Sequence, residues 1–193
     1  MRFIRRNRND PLKGMIAGAA GGLVASWVMN QFQALLSRMA HRGERPHGAQ
    51  SIQHGLPRHG LARELQERGR DSEADNAAIR TAVVVSERLF GLELEEREKK
   101  EMAGAVIHYT FGVGTGGIYG AIAELKPATT AGAGLPFGVA VWLIADEIIV
   151  PALGLSKPPT EYPLSTHAYS IASHLVYGLT TEIVRRGVRR ALD

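Results

Sequence analysis

The chain has 193 residues, no cysteine and a formal net charge of +4. The missing cysteine excludes a disulfide framework, a thiolate metal site and a cysteine nucleophile. A pI of about 9.6 fits nucleic acid in principle, but outside residues 37–101 the basic residues lie mainly at the two termini. Flanking apolar stretches in this way, they point to anionic lipid headgroups and not to nucleic acid.

The start, Met1 to Arg8, is basic and leads into an apolar stretch, in the manner of a signal peptide. That stretch is longer than the usual apolar region, and Asn30, Gln31, Gln33 and Arg38 make no small-residue cleavage site, so an uncleaved helix over about 14–36 is expected. Asp10 is placed to cap it, and Pro11 sits where a missing N–H costs nothing. Gly14, Gly18 and Gly22 repeat at four-residue spacing, which lets another helix approach closely. Trp27 falls too deep for an interfacial belt and is expected against protein or mid-lipid.

Residues 37–101 form a polar insertion with twelve Lys/Arg and twelve Asp/Glu. Its first half mixes Gly, Pro, Arg and His and reads as loop, with His41, His47, His54 and His59 at spacings that do not share one helical face. From Asp71 an apolar stripe through Ile79, Val83, Leu89 and Phe90 predicts a helix ended by Gly91, too charged to span lipid.

The second membrane helix is predicted over 102–124. At about 1.5 Å per residue it covers roughly 34 Å, enough for a hydrocarbon core of about 30 Å. Gly112, Gly116 and Gly120 form a winding groove that matches the first helix, with His108 above it and Glu124 at its end. The third helix, about 131–155, carries Asp146 and Glu147 side by side. After a connector stiffened by Pro158, Pro159 and Pro163, the fourth, about 166–184, carries His174 and Glu182 and stops at Arg185, Arg186, Arg189 and Arg190. The expected fold is thus all-α: one integral membrane domain with four transmembrane helices and a partly helical extracytoplasmic insertion. Basic residues before the first helix and after the last place both termini in the cytoplasm. The four arginines read as topology anchors at lipid headgroups.

The run Pro151, Gly154-Leu155, Pro158-Pro159, Pro163, His174-Leu175-Val176, Glu182, Arg185-Arg186 and Arg189 resembles the YagU-like family of bacterial inner-membrane proteins. His108, Gly116-Gly117, Tyr119, Glu124 and Pro127 follow it in similar order. The resemblance implies an inner-membrane protein linked to acid tolerance, with no established enzymatic activity.

Helical rise puts His108 about 9 Å and His174 about 12 Å below the outer surface, and Asp146 and Glu147 about 10–14 Å below it. A shared cluster of these four is expected, with Glu124 and Glu182 near the inner ends. Ionisable groups in membrane helices mark functional sites by default. One reading is a proton-responsive site, because imidazole changes charge near neutral pH. A second is metal or haem held by His108 and His174, although the sequence requires no cofactor. A third is interhelical hydrogen bonding alone, in an accessory subunit of a membrane complex or a homo-oligomer. No phosphate loop, dinucleotide fingerprint or zinc-protease motif is present, and no catalytic residue is assigned.

Overall fold

The computed structural model describes residues 10–42, 97–154 and 156–193. Within them the chain forms four helical rods and no strand. These are α1 (Pro11–Arg42), α2 (Arg97–Leu125), α3 and α4 (Leu164–Ala191). The third, α3, begins as Leu135–Val141, widens into a π-helical stretch at Trp142–Ile149, and closes with the turn Val150–Ala152. The expected helix from Asp71 and the histidines at 47, 54 and 59 lie outside the described residues.

Local chemistry sets the helix starts. The Asp10 carboxylate accepts the N–H groups of Leu12 and Lys13 at 3.1 and 3.2 Å, while Pro11 opens the first turn. After α2, Pro127 opens a 3₁₀ turn, Pro127–Thr130. The chain then passes through Gly132, Ala133 and Gly134 at positive φ (77, 54 and 84°) before α3 begins, four residues later than the sequence predicts. Two glycines in three make that left-handed passage inexpensive. Within α3, Pro151 has no N–H to give and its ring crowds the carbonyl one turn back, so a regular ladder fails there. The wider π turn just before it is the local answer.

Glycine sets the packing. Helices α1 and α2 run antiparallel with Gly14 against Gly120, Gly18 against Gly116, and Gly22 against Gly112. A Cβ on Gly116 would lie 2.5 Å from the Gly18 carbonyl oxygen, closer than real atoms approach. The same device joins α1 to α4, where a Cβ on Gly21 would stand 2.6 Å from the Thr181 carbonyl. It also joins α3 to α4, where one on Gly178 would stand 2.7 Å from the Gly138 nitrogen. Buried apolar side chains are accordingly few and mostly small, among them Ala17, Ala25, Met29 and Val141.

Large apolar side chains face outward instead, including Leu23, Trp27, Leu143, Ile144 and Ile148. Two stretches, Pro11–Leu36 and Leu135–Ala152, are long and apolar enough to cross a membrane. The first window is 44% buried, but the second is only 17% buried, so it is not the core helix of this bundle. Four such helices were expected. In α2 the charged first turns and many glycines dilute apolar character, and in α4 the hydroxyl and arginine residues do the same.

Candidate functional site

At the end of the bundle where α3 finishes and α4 begins, two carboxylate–imidazole pairs bridge the helices. Glu147 Oε1 lies 2.7 Å from His167 Nδ1, and His167 Nε2 lies 3.1 Å from the Pro159 carbonyl oxygen. Ser170 donates to Asp146 Oδ2 at 2.5 Å. His174 Nδ1 lies 3.0 Å from the Ser170 carbonyl and 3.6 Å from the same Asp146 oxygen. His174 is buried, and the other groups are half-buried. In a regular helix, neighbouring residues diverge by about 100°. Asp146 and Glu147 sit side by side in the π-helical turn, and both nevertheless reach α4.

The four-residue cluster expected from depth alone is therefore divided. Asp146 meets His174 and Glu147 meets His167, whereas His108 lies on α2 with its ring edge-on to Tyr109, centroids 5.7 Å apart. Rise fixes depth but not direction around the bundle, and α3 packs chiefly on α4, not on α2. Among the described residues no three His, Asp or Glu side chains are arranged to hold a metal ion. Sequence reasoning missed His167 as a partner. The signal was its spacing of seven from His174, two turns along one face.

The opposite end holds a buried ionic cluster. Glu182, 1% exposed, accepts Arg185 Nε at 2.7 Å and NH2 at 2.9 Å, Arg186 Nε at 2.5 Å, and the Tyr119 hydroxyl at 3.0 Å. Glu124 accepts Arg189 Nε at 2.8 Å and NH2 at 3.2 Å, and lies 3.8 Å from Arg185 NH1. Arg189 also meets Asp193, and Lys13 of α1 donates to the Leu192 carbonyl at 2.7 Å. Hydrogen bonding to Glu182 raises the Arg185 guanidinium above its ordinary range, and bonding to Glu124 and Asp193 does so for Arg189. The expected role of the arginines in holding lipid headgroups needs correcting. Arg185 and Arg189 are buried and turned inward to carboxylates, and Arg190 and most of Arg186 face outward. A carboxylate buried on each of α2 and α4 requires such a partner.

Between the two ends, Tyr177 donates to the Gly112 carbonyl at 2.6 Å and shares a 2.9 Å hydrogen bond with Thr115. Phe137 stacks on Tyr119 at 4.3 Å and tilts against Tyr177 at 5.8 Å.

Residues 92–183, which include α2, α3 and most of α4, match a family described as a protein of unknown function (DUF1440). That match marks a domain whose activity is not assigned. No curated protein and no solved structure matches the chain.

Proposed function

We propose that the chain is an integral protein of a bacterial inner membrane that crosses four times and responds to external protons through its paired imidazoles and carboxylates. The observation that carries this reading is the double bridge between α3 and α4, Glu147 to His167 and Asp146 to His174, set in helices whose outer faces are apolar. Imidazole is the side chain whose charge changes most readily in the range of environmental acidification. A change of charge at this bridge alters the attraction between α3 and α4, and α3 has little other burial to hold it.

Lys13, Lys126, Arg186 and Arg190 gather at the end holding both described termini, which supports reading that end as cytoplasmic and the histidine end as external. A role in acid tolerance, which the YagU-like resemblance implies, follows from a proton-responsive site on the outer side. Anionic lipids are the expected partners of the outward-facing Arg190.

The test uses Trp142, at the start of the π-helical turn, as a reporter in a Trp27→Phe background, which leaves one indole in the chain. Emission from protein in liposomes should shift in one step as external pH falls from about 8 to about 4, the interval in which imidazole and then carboxylate groups charge or neutralise. Changing His167 and His174 together to Ala should remove the shift. Emission that stays constant across that interval in the unmutated site refutes the reading.

A further inference from the structure

The two pairs that join α3 to α4 hold their protons differently. A ring nitrogen that meets a carbonyl oxygen must carry the hydrogen, because the carbonyl has none to give. His167 Nε2–H therefore donates to the Pro159 carbonyl at 3.1 Å. Its Nδ1 stands 2.7 Å from Glu147 Oε1, a separation at which two bare lone pairs would repel, so a second hydrogen lies between them. Ring and carboxyl together hold two protons and no net charge, whichever of the two atoms carries the shared one.

His174 differs. Its Nδ1 hydrogen goes to the Ser170 carbonyl at 3.0 Å, and Asp146 Oδ2, 3.6 Å from that nitrogen, is served instead by the Ser170 hydroxyl at 2.5 Å. A neutral ring and an ionised carboxylate satisfy these contacts, so they require no shared proton.

Removing the shared proton from Glu147 and His167 leaves one hydrogen on the ring for two acceptors. The ring can then keep Glu147 or Pro159, but not both. Glu147 is charged in that state and is the stronger acceptor, so the bond given up is the one to Pro159. Pro159 opens the 3₁₀ turn Pro159–Glu161, midway along the connector of residues 156–163. Pro158, Pro159 and Pro163 fix φ there, and the Lys157 N–H donates to the Tyr162 hydroxyl at 2.9 Å within the connector, so the piece is stiff in itself.

We propose that Glu147, His167 and Pro159 form a proton-held latch, which fastens the connector to α3 and α4 while the pair keeps its shared proton and frees the connector when that proton leaves. The proposal rests on the proton-responsive reading of this end and assigns the response to one of its two pairs. The geometry described is the closed form. One proton passes to water on opening, and no heavy-atom bond changes. The titratable groups on the elements around His167 are Glu147 and Asp146 of α3, Lys157, Glu161 and Tyr162 of the connector, Tyr169 and His174 of its own helix, His108 and Tyr109 of α2, and Arg38 of α1. Lys157, Glu161 and Arg38 are exposed, so water and salt screen their charges.

Because the chain has no cysteine, Thr160→Cys in the exposed part of the turn gives a single point for a nitroxide label on the full chain in liposomes. As external pH rises from about 5 to about 9, the interval that spans the titration of imidazole, the mobile fraction of the label should grow severalfold and reversibly. Glu147→Gln supplies an amide N–H to Nδ1 of a neutral ring and leaves Nε2–H on Pro159, so the label should stay immobile throughout. His167→Ala should leave it mobile throughout, and His174→Ala should keep the step. The latch is overturned if the label on the unmutated site shows no step, if Glu147→Gln retains the step, or if His174→Ala removes it while His167→Ala does not. Should His167→Ala fail to insert, the Glu147→Gln result decides alone. A Trp142 emission step that persists while the connector label shows none removes the latch and leaves the responsive site standing, whereas loss of both refutes both.

Discussion

Glu124, in the last turn of α2, takes both Nε and NH2 of Arg189, which lies 65 residues further along the chain near the end of α4. This forked bond ties α2 to α4, which also meet where Tyr119 donates to Glu182 and where Tyr177 reaches Thr115 and the Gly112 carbonyl. Both side chains are largely buried, at 8 and 11% exposure, so neither charge has water to fall back on.

Replacing Arg189 by Ala should therefore destabilise the bundle by about 3 kcal/mol, the lower end for breaking a buried pair, since the cluster lies near the bundle end. Thermal unfolding in detergent measures this. The swap Glu124→Arg with Arg189→Glu should recover part of the loss. A swap no better than the single changes would show that the two side chains do not act as a pair.

The same pair should be insensitive to alkaline pH. Arg185 and Arg189 are raised above the ordinary arginine value. A group raised on folding contributes stability that is complete below its unfolded pKa and disappears only as pH climbs through the folded one. That window lies above about pH 12, so the melting difference between the natural chain and Arg189→Gln should stay constant from about pH 7 to about pH 10. A difference that shrinks within this interval contradicts the assignment.

Glycines of identical appearance should behave in opposite ways. Gly116→Ala forces a methyl group onto the Gly18 carbonyl and should cost more than about 3 kcal/mol or prevent folding. Gly114, two residues earlier on the same helix, and Gly187 have open space where the methyl would go. Alanine there should stabilise by up to about 1 kcal/mol through helix preference alone. Unfolding midpoints of the three variants decide it.

Trp142 has a buried indole N–H without an acceptor among the described residues. An unpaired buried donor carries a penalty that Phe does not. Trp142→Phe should therefore cost less than about 1 kcal/mol despite the smaller ring, again read from the melting midpoint.

Much of this architecture was legible in the sequence, because four-residue glycine spacing has one strong physical use between apolar helices. Gly14, Gly18 and Gly22 do lie against Gly120, Gly116 and Gly112, and the depth estimate did put Asp146, Glu147 and His174 near one end. What spacing along a single helix does not encode is rotation about its axis relative to neighbours. For that reason His108 was grouped with acids that turn to α4, and His167 was left without a role. Arg185 and Arg189 went to lipid for a related reason. A terminal arginine run looks the same whether it anchors a membrane face or neutralises Glu124 and Glu182, and only the meeting of α2 with α4 distinguishes the two. The π-helical turn was equally hidden. Pro151 announced a disturbance, but not the π-helical form it takes at Trp142–Ile149.

The glycine ladder joins α1 to α2 across everything between residues 42 and 97, and it does so through backbone against backbone. The ladder itself is made by residues of α1 and α2 alone. A polypeptide ending at Arg42 and another beginning near Arg97, produced together, carry between them every contact of the ladder and should associate through it.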